Sequence, residues 1–261
     1  MSRRKSRLGV SYAGGLTEKS TAFAGAGLLV ELYRQAGVQA VAEGVLPAKR
    51  SVRGLSHGQM VEAFVLLSAL GGEAVEDMER LRRDQGLAAL LGYAPPAPET
   101  ARQWLDRFHE ESAMEGRPAQ GSFLPPETDG LAGLAAINRR VVAAYVEAVH
   151  PLLEVTLDVD AHLVESAKSD AKRCYDGYPA YQPMEVVWAE TGVVLADEFR
   201  EGNVPASTGI GRMVERAHEA LPAKTWKVRV RSDSAAYQPE GVLDRWHHRG
   251  WEFAVSADMS T

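Results

Sequence analysis

The sequence predicts an α+β protein: a helical N-terminal domain, then a mixed five-stranded sheet with flanking helices. Three observations predict it. Between about Ala22 and Glu111, apolar side chains recur at helical spacing. Residues 113–130 (SAMEGRPAQGSFLPPETD) are rich in Gly, Pro and Ser and read as a linker. Beyond a helix at 131–149, short apolar runs alternate with helical stretches.

Residues 1–20 read as a basic flexible arm broken at Gly14-Gly15, and residues 21–112 as the helical domain. Leu28, Leu29, Leu32, Val38 and Val41 place helical turns on both sides of Gly37. Met60, Ala63, Phe64, Leu67 and Leu70 form a cleaner stripe that ends at Gly71-Gly72. Val75, Met78, Leu81, Leu87 and Leu91 predict the next helix. After the proline-rich turn from Tyr93 to Pro98, Trp104, Leu105 and Phe108 mark a short helix over 100–111. The pair 73–91 and 100–111 fits a plain helical bundle, or a helix-turn-helix reading DNA.

Residues 131–261 form the second domain. Its helix at 131–149 carries Ile137, Val141, Val142, Tyr145 and Val146. Strands are predicted at 153–160, 184–190, 193–200, 226–233 and 251–256, and helices at 206–220 and 239–248. Thr191-Gly192 suits a tight hairpin between the second and third strands. Gly202-Asn203 supplies a turn, and Ser207 or Thr208 is the expected cap of the helix that follows. Three strands that pair in sequence, then helix, strand, helix, strand, is the order of a ribonuclease H-like domain. In that order the fourth strand lies parallel to the first, so their carboxyl ends coincide.

Both of those strands end in acid. Leu153 to Asp160 is an apolar run closing on Asp158-Val159-Asp160, and Trp226 to Asp233 closes on Arg231-Ser232-Asp233. A carboxylate at the rim of a sheet is costly to ionise unless a cation compensates it. Asp158 and Asp160 are two apart on one strand and share a face, so either could meet Asp233. Two carboxylates on neighbouring strands suit Mg²⁺ or Mn²⁺, which favour oxygen ligands. Such ions serve in-line phosphodiester chemistry. No further carboxylate stands where it would obviously join the pair.

Composition narrows the class. Hydrophobic content of 45% and charged content of 25% match a soluble globular protein, and no apolar run approaches a membrane span. The basic start, Met1 to Arg7, lacks an apolar continuation and is not a secretory signal, so a cytoplasmic protein is expected. One cysteine, Cys174, excludes an internal disulfide, and His162, His247 and His248 show no zinc spacing. Residues 1–150 carry equal numbers of basic and acidic side chains, so residues 151–261 hold the whole net charge of −6. That balance counts against a general DNA coat. It is compatible with carboxylates gathered round metal and local basic patches for phosphate. Lys168, Lys172 and Arg173, in the loop after the first strand, are the candidate DNA-phosphate contacts, or else a solvated loop. Tyr175, Tyr178 and Tyr181 either pack that loop or stack on unpaired bases.

Six blocks, in order, resemble an insertion-sequence DDE transposase of the IS thirteen-eighty group. They are Leu157-Asp158-Val159-Asp160-Ala161, Ala180-Tyr181-Gln182-Pro183, Val187-Trp188-Ala189-Glu190, Asp197 to Ala206, Arg231 to Tyr237, and Phe253 to Asp258. The resemblance implies a ribonuclease H-like catalytic domain, Mg²⁺ or Mn²⁺, and DNA partners: the element's terminal inverted repeats and target DNA. It also implies DNA strand cleavage and strand transfer, with assembly as a homo-oligomer on DNA and no membrane. Carried over, the family's first catalytic Asp falls on Asp160 and its second on Asp233. His162 stands where the family commonly has Thr, and Ala180 where it has Gly. The family's third ligand is a Glu on a helix after the fifth strand. Here that strand is followed only by Ala257 to Thr261, with Asp258 as a weak substitute. The resemblance therefore implies a domain incomplete at its C-terminus and inactive alone. Two other readings stand beside it. One is a non-catalytic DNA-binding fragment that inhibits a full-length relative. The other is a haloacid-dehalogenase-like phosphohydrolase, for which Asp158-Val159-Asp160 resembles the nucleophile motif.

Overall fold

The computed structural model describes residues 19–49, 53–118, 120–149 and 154–257. Most of the expected basic arm, the first residue of the 153–160 strand, and Asp258 lie outside them. The chain divides into two compact units, one of residues 1–44 and 48–109, the other of 45–47 and 110–261.

The first unit is helical: α1 (Ala26–Gln35), α2 (Val38–Val45), α3 (His57–Ala69), α4 (Met78–Arg83), α5 (Gln85–Leu91) and α6 (Pro98–Leu105). Its core joins Val30, Tyr33, Met60, Leu66, Leu67, Met78, Leu81, Leu87 and Trp104, all buried. The stretch 75–91, expected as one helix, is two. Asp84 takes an extended conformation and caps α5 through the Leu87 N–H at 2.7 Å. It also accepts from Thr21 Oγ1 and the Ala22 N–H, which tethers the chain before α1. A buried polar cluster completes this unit. Glu62 receives Arg34 Nε at 3.0 Å and the Tyr93 hydroxyl at 2.8 Å. Burial and the neighbouring Glu62 carboxylate hold the Tyr93 phenol well above its usual pKa.

The second unit contains α7 (Asp129–Val149), β1 (Glu154–Ala161), β2 (Val164–Glu165), β3 (Lys172–Arg173), β4 (Pro179–Tyr181), β5 (Met184–Trp188) and β6 (Val193–Glu198). These are followed by α8 (Ile210–Glu219), β7 (Lys227–Ser232), α9 (Asp244–His248) and β8 (Glu252–Val255). The main sheet has the order β6-β5-β1-β7-β8, antiparallel on the β5 and β6 side and parallel on the β7 and β8 side. That is the ribonuclease H-like order expected from the sequence, with all five strands found. Alternation decides the faces. Val155, Leu157 and Val159 are buried with Val186, Trp188, Val228 and Val230 against Met213, Val214 and Ala217 of α8, while Val142 brings α7 into the same core. Thr156, Asp158 and Asp160 point to the opposite, polar face.

Several expectations are corrected. The helix over 206–220 begins only at Ile210, and neither Ser207 nor Thr208 caps it. Gly209 precedes it at φ 76°, a left-handed conformation with no side chain to offer. The stretch 239–248 is a π turn (Pro239–Leu243) leading into α9 rather than one regular helix. The stretch 113–130 holds a 3-10 turn (Glu111–Met114) at its start, and α7 already begins at Asp129. Residues 164–181, read as a loop, form a second sheet of order β2-β4-β3. Gly202 docks this small sheet. Its N–H donates to the Ala180 carbonyl at 3.0 Å, and an added Cβ would stand 2.3 Å from that oxygen and 2.9 Å from the Lys172 carbonyl. The turn at Gly202-Asn203 is thus also a close backbone crossing that only glycine permits.

Candidate active site at the carboxyl edge of the sheet

The geometry of the edge follows from the β1–β7 register. Asp158 pairs with Arg231 and Val159 with Ser232, so Asp160 and Asp233 stand next in line on neighbouring parallel strands. Asp233 keeps an extended backbone (φ −70°, ψ −168°), so the alternation that sets Arg229 and Arg231 on the less buried face continues into it. Both aspartates are exposed. With strands about 4.8 Å apart, this juxtaposition brings two carboxylates to one rim.

The three acids differ in what they hold. Both Asp158 oxygens accept from the Arg231 guanidinium, with Nε to Oδ1 at 3.0 Å and Nη2 to Oδ2. Asp160 accepts only the following N–H, of Ala161, on Oδ1 at 2.9 Å. Asp233 caps a short 3-10 turn, its Oδ1 accepting from the Ala235 N–H at 2.9 Å and, more distantly, from Ser232 Oγ at 3.5 Å. Among the described residues neither Asp160 nor Asp233 has an ion-pair partner, and each keeps Oδ2 unengaged. Sequence reasoning missed the Asp158–Arg231 bridge. The signal lay in the charges themselves, since Lys227, Arg229 and Arg231 alternate along β7 as Glu154, Thr156 and Asp158 do along β1. Arg229 likewise bridges Glu154 and Glu252 across three strands. Its guanidinium is held above its usual pKa by those carboxylates.

Glu185 was also missed. It stands directly opposite Asp160 on β5, making the rim more acidic than the two aspartates alone. The donors at this edge are carboxylate oxygens, which suits a hard divalent cation rather than zinc. Among the described residues no group of three or more His, Cys, Asp or Glu is arranged to hold a metal ion. The fit therefore rests on donor type and on the Asp160–Asp233 juxtaposition.

The predicted basic contacts sit on or beside the small sheet. Lys172 and Arg173 form β3, and Lys168 Nζ lies 6.0 Å from the centre of the Tyr181 ring. Arg173 donates to the Gly177 carbonyl. None of the three has an ion-pair partner among the described residues. Tyr181 packs on the exposed Phe199, ring centres 4.7 Å apart, while Tyr175 faces solvent. Cys174 is buried, its N–H donating to the Tyr178 carbonyl.

A group that sequence reasoning passed over lies at the exit of β6. Glu198 receives both Arg200 and Arg212, and Arg200 is fully buried. Burial lowers the pKa of Arg200 and Glu198 opposes that shift. An arginine two residues beyond a strand is ordinarily solvated, and only the matched spacing of Glu198 and Arg200 hinted otherwise.

A family model described as Transposase DDE domain group 1 matches residues 4–258. No curated protein matches the chain. Among solved structures, one similar chain is the piggyBac transposase in its synaptic complex with hairpin DNA. It has 9% identity and a TM-score of 0.41, with 90% of this chain and 51% of that one covered. The Mos1 strand transfer complex is another, at 16% identity and a TM-score of 0.28, with 82% and 62% covered. The chain thus spans about half to three-fifths of the length of these structures. Among the described residues no helix is long and apolar enough to cross a membrane.

Proposed function

The chain belongs to the Transposase DDE domain group 1 family, and on that premise we propose that it cleaves and transfers DNA strands at the ends of a bacterial insertion sequence of the IS thirteen-eighty group. The haloacid-dehalogenase alternative gives way to this membership. The single observation that supports the site assignment is the register of β1 and β7, in which Asp160 and Asp233 follow the paired Val159 and Ser232; among the described residues neither has an ion-pair partner. Asp160 is favoured over Asp158 because Arg231 occupies both oxygens of the latter.

Asp160 and Asp233 would hold Mg²⁺ or Mn²⁺. When bound, such ions stabilise the attacking and leaving oxygens of an in-line phosphodiester displacement. The chain's own residues do the rest. The Asp233 cap on the Ala235 N–H fixes that carboxylate's orientation. The Asp158–Arg231 pair beside it blocks a competing carboxylate. Lys168, Lys172 and Arg173 supply cations for backbone phosphates, which set the register of DNA without reading its sequence. The helical unit binds the terminal inverted repeats, and the protein acts in the cytoplasm as a homo-oligomer on DNA.

The test is nicking and strand transfer by the purified chain on DNA bearing the cognate ends, with Mg²⁺ or Mn²⁺. Activity lost in Asp160→Ala and in Asp233→Ala, with DNA binding retained, supports the reading. Cleavage that persists in both variants would overturn the site. DNA binding with no cleavage by the unaltered chain would favour the non-catalytic DNA-binding fragment.

A further inference from the structure

The small sheet continues the main sheet past the acidic rim. β1 and β5 pair Asp160 with Glu185 and Ala161 with Met184. With no slip of register, the His162 N–H then donates to the Pro183 carbonyl at 3.1 Å and Val164 pairs with Tyr181. The Ser166 N–H reaches the Pro179 carbonyl at 3.0 Å. The chain leaving β6 keeps step as well. Glu185 pairs with Asp197, the Gln182 N–H donates to the Arg200 carbonyl at 3.0 Å, and Tyr181 bridges to Glu201. Burial alternates unbroken along the middle strand. Ala180, Gln182, Met184 and Val186 are buried, so Tyr181, Pro183 and Glu185 share the other face, that of Asp160.

Three kinds of row follow one another on that face. The first is acidic: Asp160, Glu185 and Asp197. The next, about 7 Å on, sets His162 and Phe199 on either side of Pro183, and beyond it Tyr181 stands with Val164. The Tyr181 and Phe199 rings pack with centres 4.7 Å apart, yet Phe199 is 67% exposed. The last row is cationic. Arg173 pairs with Pro179, and the Lys168 ammonium lies 6.0 Å from the centre of the Tyr181 ring. Of the acids beside the rings, Asp170 accepts from the Tyr181 hydroxyl at 3.3 Å and Glu201 is held by Arg117. Lys168 and Arg173 have no ion-pair partner among the described residues. From Glu185 to Pro179 the ribbon covers about 20 Å.

We propose that Phe199 and Tyr181 form a stacking platform for an unpaired nucleobase of DNA, beside the Asp160–Asp233 rim. That the nucleotide belongs to the strand being cut rests on the function proposed above; the stacking does not. A single strand suits the order of the rows, with a base on the rings and neighbouring phosphates at Lys168 and Arg173. A duplex keeps its bases stacked on one another, so the platform takes a nucleotide out of the stack. Phe199 offers the open ring. Tyr181 buttresses it from the side, and Lys168 brings its charge to the same place.

The experiment uses the full chain without divalent metal, so that no strand is cut. The probe is a single-stranded oligodeoxynucleotide carrying 2-aminopurine, whose fluorescence is quenched when the base stacks. Affinity is read by anisotropy for this strand and for the same strand annealed to its complement. Phe199→Leu keeps apolar bulk without a ring. It should lower single-strand affinity about 5- to 100-fold and abolish the added quenching, with duplex affinity changed about twofold or less. Phe199→Trp should keep both responses. Quenching retained in Phe199→Leu, or an equal loss on single strand and duplex, would overturn the platform. So would a dimer of the parent chain, seen by sedimentation, that Phe199→Leu dissociates while DNA affinity stays unchanged. Strand cleavage by the parent that Phe199→Leu leaves at full rate would detach the platform from the cut strand. Asp160→Asn should keep the quenching, so failure of the cleavage reading and failure of this one are separately visible.

Discussion

The two faces of the main sheet are made by the same strands and do opposite work. On one, Val155, Leu157, Val159, Val186 and Trp188 are sealed against α8. On the other, alternate residues of the same strands form ion pairs, Glu154 with Arg229 and Asp158 with Arg231, while Thr156 between them donates to Glu190 in the turn after β5. The first face supplies stability by removing apolar area from water, at about 1.5–3 kcal/mol for each large side chain. The second contributes little to stability, since exposed ion pairs are weak, but it decides which carboxylates remain available. Asp158 and Asp160 sit on one face of one strand, and the Arg231 ion pair belongs to Asp158.

That contrast can be broken from the apolar side first. Leu157→Ala should cost about 2–5 kcal/mol, read as a lower urea midpoint, because a buried Leu leaves both lost transfer energy and a cavity. A loss below 1 kcal/mol would mean that the α8 face is not the stabilising one.

The next effect in size depends on pH. Burial pushes the Glu190 carboxyl up, but the Thr156 hydroxyl and N–H outweigh it, and its pKa lies below the usual 4.5. A depressed carboxyl pKa adds stability above the unfolded value, and that stability is lost as pH falls through the folded one. Glu190→Gln should therefore be less stable than the parent chain at neutral pH, with the gap closing below about pH 4.5. Denaturation midpoints across that range check the sign, and a gap that widens in acid would refute it.

The smallest stability effects belong to the rim. Asp160→Asn should change stability by no more than about 0.5 kcal/mol. Asp233→Asn should behave likewise, since Asn caps a helical turn nearly as well as Asp. Both should abolish Mn²⁺ binding, measured by calorimetry. Arg231→Gln, on an exposed pair, should barely move the thermal midpoint and should release the Asp158 carboxylate. Marked unfolding of both Asp variants with Mn²⁺ binding intact would recast the acids as structural caps.

The same contrast explains how much could be read from sequence. Strands of the main sheet were readable because one buried face imposes a period of two over four or more residues, as in Val155, Leu157 and Val159. The parallel pairing of β1 with β7 followed from the order of elements. Strands of two or three residues, such as Val164–Glu165 and Lys172–Arg173, are too short to show any period, so the small sheet stayed hidden. The break at Asp84 was available in principle, because an acid before Gln-Gly-Leu is a helix cap, but the apolar stripe ran across it. Gly209 displaced the expected Ser207 or Thr208 cap because a left-handed turn needs no hydroxyl. Arg200 was hinted at only by its spacing from Glu198, because its burial depends on Met184 and Gly209 closing round it.

The parallel pairing of β1 with β7 has a consequence for biosynthesis. Asp158 and Arg231 are 73 residues apart in the chain. At typical elongation rates β7 leaves the ribosome roughly 4–15 s after β1. Until then the acidic end of β1 has no β7 beside it, while the β5–β6 hairpin can already pair. The pair of carboxylates therefore comes into being only with this long-range closure, a slow class of contact. The acidic rim is in this way incomplete while the second unit is still being made.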